Sequence, residues 1–446
     1  MTRIVVLGGG FAGVSVARRL EKKLRRDEAE IAIVSRDNFT LFTPMLPEVS
    51  SGGLEPRHVA TPVRAQVHRT KFVLGEIARV DLDERAVEAR HPITGDVTRL
   101  EYDHIVLALG SVTSTFGIPG VAEHTLPLKT LEDAETLRNR IIAALEQAVV
   151  TPAGPDRDRL LTFAVVGGGY TGCECAGELV DFFHSIVPFY RPLQLRDVRM
   201  ILIEGGKALL PDLPEKMGRY TTRNLARRGV ELVIGDGVTR IDERTIALQS
   251  GRNIPCGTVV WSAGVRPSPV LRELPGCKHA RNGGIVVNQD MSVDGQPGVW
   301  ALGDAAWIPD KPGADLNDKT AWYPATAQHA IREGPALADN IIATLRGKPT
   351  KPFHYTSLGT MASLGARRGV AQLPGGFVVT GFLAWVMWRT YYLARLPGLD
   401  RQVRVAFDWT LGLIFPRDIA ELRLYTERGQ MQAQRDAGFR PPSPPA

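Results

Sequence analysis

Two sets of glycines carry the first chemical signal. Gly8, Gly10 and Gly13 follow the apolar run Ile4-Val5-Val6-Leu7, and Gly167, Gly169 and Gly172 follow Phe163-Ala164-Val165-Val166. Each set has the spacing G-x-G-x-x-G between a short apolar strand and the start of a helix. The first glycine makes the tight turn and the second lets the backbone approach a pyrophosphate. The third lets helix and strand pack closely, with the phosphates at the helix N-terminus. Phe11 and Ala12 in one turn, and Tyr170 and Thr171 in the other, lie on the same approach. A glycine-rich corner is an adequate reading of one such match. Two in one chain point to two dinucleotide folds, one for FAD and one for NADH, as in a flavoenzyme that takes electrons from a nicotinamide cofactor.

The strand after each turn should end in an acid that binds ribose hydroxyls. Met200-Ile201-Leu202-Ile203 ends in Glu204. A carboxylate there repels a 2′-phosphate, so NADH is expected over NADPH. Ile31-Ala32-Ile33-Val34 ends instead in Ser35 and Arg36, which leaves the FAD ribose to those two side chains. Further candidates lie at strand ends and loops. For FAD they are Pro44, Ala108, Gly110 and Asp304, the last aimed at the ribityl chain. Ala263 and Gly264 end a strand on the NADH side. Ala327 and Gln328 open a helix whose N-terminus would face the flavin, where its dipole favours negative charge on the reduced ring. Gln328 can reach a ring edge or an acceptor carbonyl. Glu174 stands in the first turn of the second glycine helix, as a proton donor or as a complement to the helix N-terminus.

These residues need scaffolding of the α/β class: two Rossmann-like folds with the second inserted in the first. We place the FAD-binding domain at 1–115 and 290–372 and the NADH-binding domain at 160–289. Lys71 to Arg99 alternates as small antiparallel strands do, and Val230 to Gly257 reads as hairpins. Leu131 to Val150 reads as a helix, followed by a linker from Thr151 to Arg159. From Phe353 to Gly369 short strands recur. The loop from Phe39 to Gly53 either covers the flavin or packs on the core.

Four cysteines fit a reduced compartment rather than a disulfide scaffold, and no metal-ligand spacing is present. A C-x4-C redox pair is missing from the first fold, and Cys173 and Cys175 are poorly placed to pair. The first strand begins almost at Met1, so no signal peptide is expected, and no run reaches the roughly 20 apolar residues of a spanning helix. Net charge is +6. Arg367, Arg368, Arg389, Arg395, Arg401, Arg404 and Arg417 cluster near the C-terminus, suiting an anionic lipid surface or a solvated basic face rather than nucleic acid. Trp385, Trp388, Tyr391 and Tyr392 share this region with an amphipathic stretch carrying Val403, Phe407, Leu411 and Ile414. The segment 373–425 is therefore expected to be a membrane anchor, its alternative being core or dimer-forming helices. A chain ending near Gly375 should then keep both nucleotide folds. Residues 426–446 are polar and Pro-rich, and expected to be disordered.

The two glycine loops, Thr171-Gly172-Cys173-Glu174, Trp261-Ser262-Ala263-Gly264, Gly303-Asp304, the Ala327-Gln328 helix start and the aromatic C-terminal segment together resemble the type II NADH:quinone oxidoreductases over nearly the whole chain. The resemblance implies non-covalent FAD, NADH as donor and quinone as acceptor, without proton pumping. It also implies peripheral attachment to the cytoplasmic face of the cell membrane, and it places Glu174 toward the flavin–nicotinamide region. Homodimerisation is open. Leu358 stands where many members have a lysine, and Ser35 where an acid is frequent. Two other readings stand beside it: a soluble NADH:acceptor flavin reductase, and a redox sensor that holds FAD and NADH without fast turnover.

Overall fold

The computed structural model describes residues 1–421 apart from 366, so the expected disordered tail at 426–446 lies outside the described residues. Two five-stranded parallel sheets organise the chain. The first has the order 299–301, 104–107, 2–7, 29–35, 71–74, with its first strand in sequence at the centre. The second repeats that plan as 126–127, 258–261, 162–166, 199–204, 230–234. In both, the inner Val/Ile/Leu-rich strands are buried on two faces, as parallel sheets require.

The helices that position the site are α1 (Phe11–Lys23), α2 (Leu46–Ser50), α3 (Leu131–Val150), α4 (Tyr170–Ile186), α5 (Ala327–Leu345), α6 (Phe382–Arg395) and α7 (Leu399–Leu411). The expected bounds of α3 hold, and Thr130 and Asp133 form a reciprocal cap at its start. Several other expectations need correction. Lys71–Leu74 and Val230–Ile234 are parallel edge strands, and only the segment beyond each is an antiparallel meander. A four- or five-residue edge strand that alternates apolar and polar residues has the same pattern in either direction. The linker after α3 contains a helix, Pro155–Leu160, because proline at the first position and Asp156 and Asp158 in the first turn favour a helix start. Among the described residues between Phe353 and Gly369 the only complete strand is Thr360–Ser363, which joins Gly369–Gln372 and Val378–Gly381 in a small antiparallel sheet.

The chain crosses between the two nucleotide folds on a paired ribbon. Ser111–Thr113 runs antiparallel to Val265–Pro267, and Trp261 Nε1 donates to the Ser114 carbonyl at 2.8 Å. The Phe39–Gly53 loop is packed, with Met45, Leu46 and Val49 buried in one core with α3 and α4. Trp388 of α6, Leu396 just past its end and Val405 of α7 are buried in that same core. A chain ending near Gly375 would strip these side chains away and expose α4, so the C-terminal helices are a structural part of the second fold and not a detachable anchor.

Helices α1 and α5 touch through Gly334, where a Cβ would fall 2.5 Å from Ser15 Cβ and 3.1 Å from the Ala12 carbonyl. Gly334→Val should lower stability by about 1–3 kcal/mol through overpacking, measured by chemical denaturation. An unchanged midpoint would show that the helices separate freely.

Candidate functional site

The glycine turns are near-copies. Gly8 and Gly167 have φ of +114° and +113°, a left-handed conformation that L side chains strain to adopt. A Cβ on Gly13 would overlap the Gly8 carbonyl, and one on Gly172 the Gly167 carbonyl. Gly10 and Gly169 differ from these, since a Cβ on either would meet nothing within 4 Å. They are also the N-cap residues of α1 and α4, and no side chain caps either helix. First-turn N–H groups are thus left facing open space on both folds, which fits a bound pyrophosphate.

Strand register makes Ser35 and Glu204 equivalent, since Gly8 N donates to the Val34 carbonyl and Gly167 N to the Ile203 carbonyl. The Glu204 carboxylate is fixed by Gly168 N and Gly206 N, each at 2.5 Å. Arg36 lies at the surface, 3.3 Å from Asp37. Phe11 meets Phe42 edge-on at 5.7 Å, and Phe42 meets Tyr392 at 5.9 Å, so the first glycine helix, the loop with Pro44 and α6 form one aromatic line. Ala108 and Gly110 end the 104–107 strand beside the first turn, and Ala263 with Gly264 does the same beside the second.

Asp304 accepts from Ser111 Oγ at 2.5 Å and lies 3.5 Å from Lys129 Nζ, which itself donates to Ser111 Oγ at 2.8 Å. Sequence reading missed Ser111 and Lys129. Ser111 had a signal, as the residue after Gly110 at a strand end; Lys129 had none. Beneath Asp304, Gly303 N donates at 2.8 Å to Glu333, a 3 % exposed carboxyl that burial pushes up to about 7. At the start of α5, Thr326 caps the helix through His329 N, and Gln328 Oε1 accepts from Ser357 Oγ at 3.4 Å. Leu358 beside it is 49 % exposed.

Glu174 is one turn further into α4 than the first turn expected from sequence, and it does not complement its own helix N-terminus. It is buried, and its Oε1 accepts from Ser363 N at 2.9 Å and from Trp388 Nε1 at 3.1 Å. Burial, only partly offset by these donors, pushes its pKa up to about 8. Cys173 and Cys175 are buried thiols, also pushed up by burial and therefore poor nucleophiles.

The comparisons with known proteins join these parts. The pyridine nucleotide-disulphide oxidoreductase family matches residues 2–334, and the NDH2 C-terminal domain matches residues 357–418. The chain is 32% identical over 429 residues to a type II NADH:quinone oxidoreductase of Mycobacterium tuberculosis, covering 93% of this chain and 89% of that protein. This chain belongs to the type II NADH:quinone oxidoreductases. FAD and NADH are the cofactors of this enzyme class. The external alternative NADH-ubiquinone oxidoreductase of Yarrowia lipolytica mitochondria is 29% identical, covering 94% of this chain and 80% of the relative. NDH2 from Plasmodium falciparum in complex with NADH has the same fold, with a TM-score of 0.84 at 21% identity over 94% of this chain and 99% of that one.

Glu204→Ser should narrow the ratio of kcat/KM for NADH over NADPH by about tenfold, the loss of roughly one charge repulsion or ribose contact; parity of the two donors in the native chain would remove Glu204 from the ribose site. Glu174 binds a proton in the folded chain that an ordinary carboxylate in the unfolded chain has released. Its stabilising effect is therefore present below the carboxylate range and is lost as pH rises through about 8. Glu174→Gln should flatten the decline in the denaturation midpoint across that window, and an unchanged slope would show that the side chain is ionised throughout.

Proposed function

We propose that the chain, an enzyme that passes electrons from NADH to quinone, does so while lying on the cytoplasmic face of the cell membrane. Support comes from the two open glycine turns, with the buried Glu174 and the start of α5 beside them. Gly8, Gly10, Phe11, Ala12, Gly13, Ser35, Arg36, Pro44, Ala108, Gly110, Asp304, Ala327 and Gln328 would hold FAD. Gly167, Gly169, Tyr170, Thr171, Gly172, Glu204, Ala263 and Gly264 would hold NADH. When bound, FAD supplies the two-electron relay between the nicotinamide and quinone. Asp304, anchored by Ser111 and Lys129, orients the ribityl chain. Gln328 meets the acceptor, and Glu174 supplies a proton on that side.

The membrane reading rests on one surface. Phe382 and Leu383 on α6, Leu399, Val403, Phe407 and Leu411 on α7, and Leu413, Ile414 and Phe415 beyond it are 37–75 % exposed. An apolar face of this extent marks a membrane or partner contact. No described helix is long and apolar enough to cross a bilayer. The basic cluster is thinner than its sequence count, because Arg389 and Arg417 turn inward onto buried carboxylates; Arg367, Arg368, Arg395 and Arg404 are exposed. A second copy of the chain covering the same face is the competing reading.

Val403→Glu with Phe407→Glu in the full chain should release the protein from vesicles rich in anionic lipid, read by co-sedimentation, and Arg395→Gln with Arg404→Gln should make binding weaker and less sensitive to salt. A dimer that dissociates in the first variant while vesicle binding persists would assign the face to self-association. Bleaching of the flavin spectrum by NADH, followed by steady NADH oxidation with a short-chain quinone, tests the redox reading; bleaching without turnover would mark a sensor.

A further inference from the structure

Three buried carboxyls and two half-buried guanidiniums come together where α2, α4, α6 and the chain at Arg417 meet. Glu48, Glu174 and Glu178 are 4, 8 and 4 % exposed. Glu178 Oε2 accepts from Arg417 Nη2 at 2.8 Å and from Ser51 Oγ at 3.2 Å. Glu48 Oε2 accepts from Trp409 Nε1 at 2.7 Å. Its Oε1 lies 3.6 Å from Arg389 Nη2 and has no hydrogen-bond partner among the described residues. The Arg389 guanidinium lies between the rings of Trp385 and Trp409, at 4.1 and 4.4 Å, and its Nε also lacks a hydrogen-bond partner among the described residues. Trp388, the neighbour of Arg389 on α6, holds Glu174. Adjacent residues of one helix thus grip the two carboxyls from different parts of the chain.

The charge count decides what this cluster does. With every group ionised, three negative charges face two positive ones, and an uncompensated charge out of water is costly. The cluster is neutral when it holds one proton. Glu178 is matched to Arg417, which leaves the proton to Glu48 and Glu174. Burial raises both; Arg389 and the Trp409 donor pull Glu48 back, and Ser363 and Trp388 do the same for Glu174. The charged groups around Glu48 are Arg389 from α6, Arg417 from the chain end, and Glu174 and Glu178 from α4.

The reaction needs one such proton. Converting a quinone to a quinol takes two electrons and two protons. NADH gives up a hydride, which is two electrons and one proton, and becomes NAD⁺; the other proton comes from the medium. We propose that the cluster of Glu48, Glu174 and Glu178 with Arg389 and Arg417 is a one-proton store for acceptor reduction, in which Glu48 refills Glu174 between turnovers. Glu48 acts through Glu174 and is a positioning residue. The inference rests on the quinone reading above.

Two variants of the FAD-loaded full chain test it. Glu48→Gln leaves two carboxyls facing two guanidiniums, so Glu174 loses a neighbour that holds its proton on. The fall in the rate of flavin reoxidation by a short-chain quinone should then move to lower pH by about one unit. In infrared spectra the protonated-carboxyl stretch should lose intensity and its residue should titrate earlier. Trp409→Phe keeps the acid and removes its donor, so the same band should persist to higher pH. Opposite shifts in the two variants support the store. A band and a rate midpoint that stay put in both would overturn it, and if Glu48→Gln does not fold, Trp409→Phe decides by itself. A native chain that bleaches with NADH but reduces no quinone would refute the acceptor assignment, while the band titration would still test the proton store.

Discussion

A carboxyl group cannot be buried between helices without partners to replace its water. In this chain that constraint falls on Glu174, and most of the second half of the structure is arranged to meet it. One donor, Ser363 N, comes from the small antiparallel sheet, and the other, the Trp388 indole, comes from α6. Both belong to the segment after the second nucleotide fold has closed, so that segment must return across α4 before Glu174 can be buried. Once there, it is held by further contacts to the loop near Glu48. Asp408 pairs with His58 at 2.6 Å and accepts from Glu55 N, and Thr61 Oγ1 donates to the Pro397 carbonyl. Loop, helix pair and glycine helix are therefore one cooperative unit, with their apolar side chains in a single core.

What was legible in the sequence was local. A glycine turn is specified by residues within a dozen positions of one another, and both turns have the geometry their spacing demands. The reciprocal cap at Thr130 and Asp133 likewise marks the start of α3 from adjacent residues. The misread strands, Lys71–Leu74 and Val230–Ile234, failed for a physical reason. Direction is set by which neighbour a strand finds, and each of these runs into a meander whose residues carry the same alternation.

The acceptor side was less legible because its partners are distant in sequence. Glu48 and Trp409 are 361 positions apart, and Glu174 and Trp388 are 214 apart. Glu48 did carry a signal, an acid inside the apolar string Leu46-Pro47-Glu48-Val49, but nothing nearby says what neutralises it. The arginines showed the opposite failure. Counted along the chain they form a basic stretch, yet Arg389 and Arg417 point into the protein, where each lies against a carboxyl that would be costly to leave buried and unpaired.

The paired ribbon between the two nucleotide folds has a mechanical consequence. Two separate linkers would let the folds swing like a hinge. Here the two crossings are bonded to each other at Ser111↔Pro267, Val112↔Arg266 and Thr113↔Val265, and the ladder continues through Ser114 N to the Gly264 carbonyl at 3.0 Å. A bonded pair of crossings resists shear and torsion better than two free linkers, which favours a fixed spacing between the two folds. Beside the ribbon Phe116, 64 % exposed and at a positive φ of 51°, lays its ring against Gly264, where a Cβ would fall 2.4 Å from it.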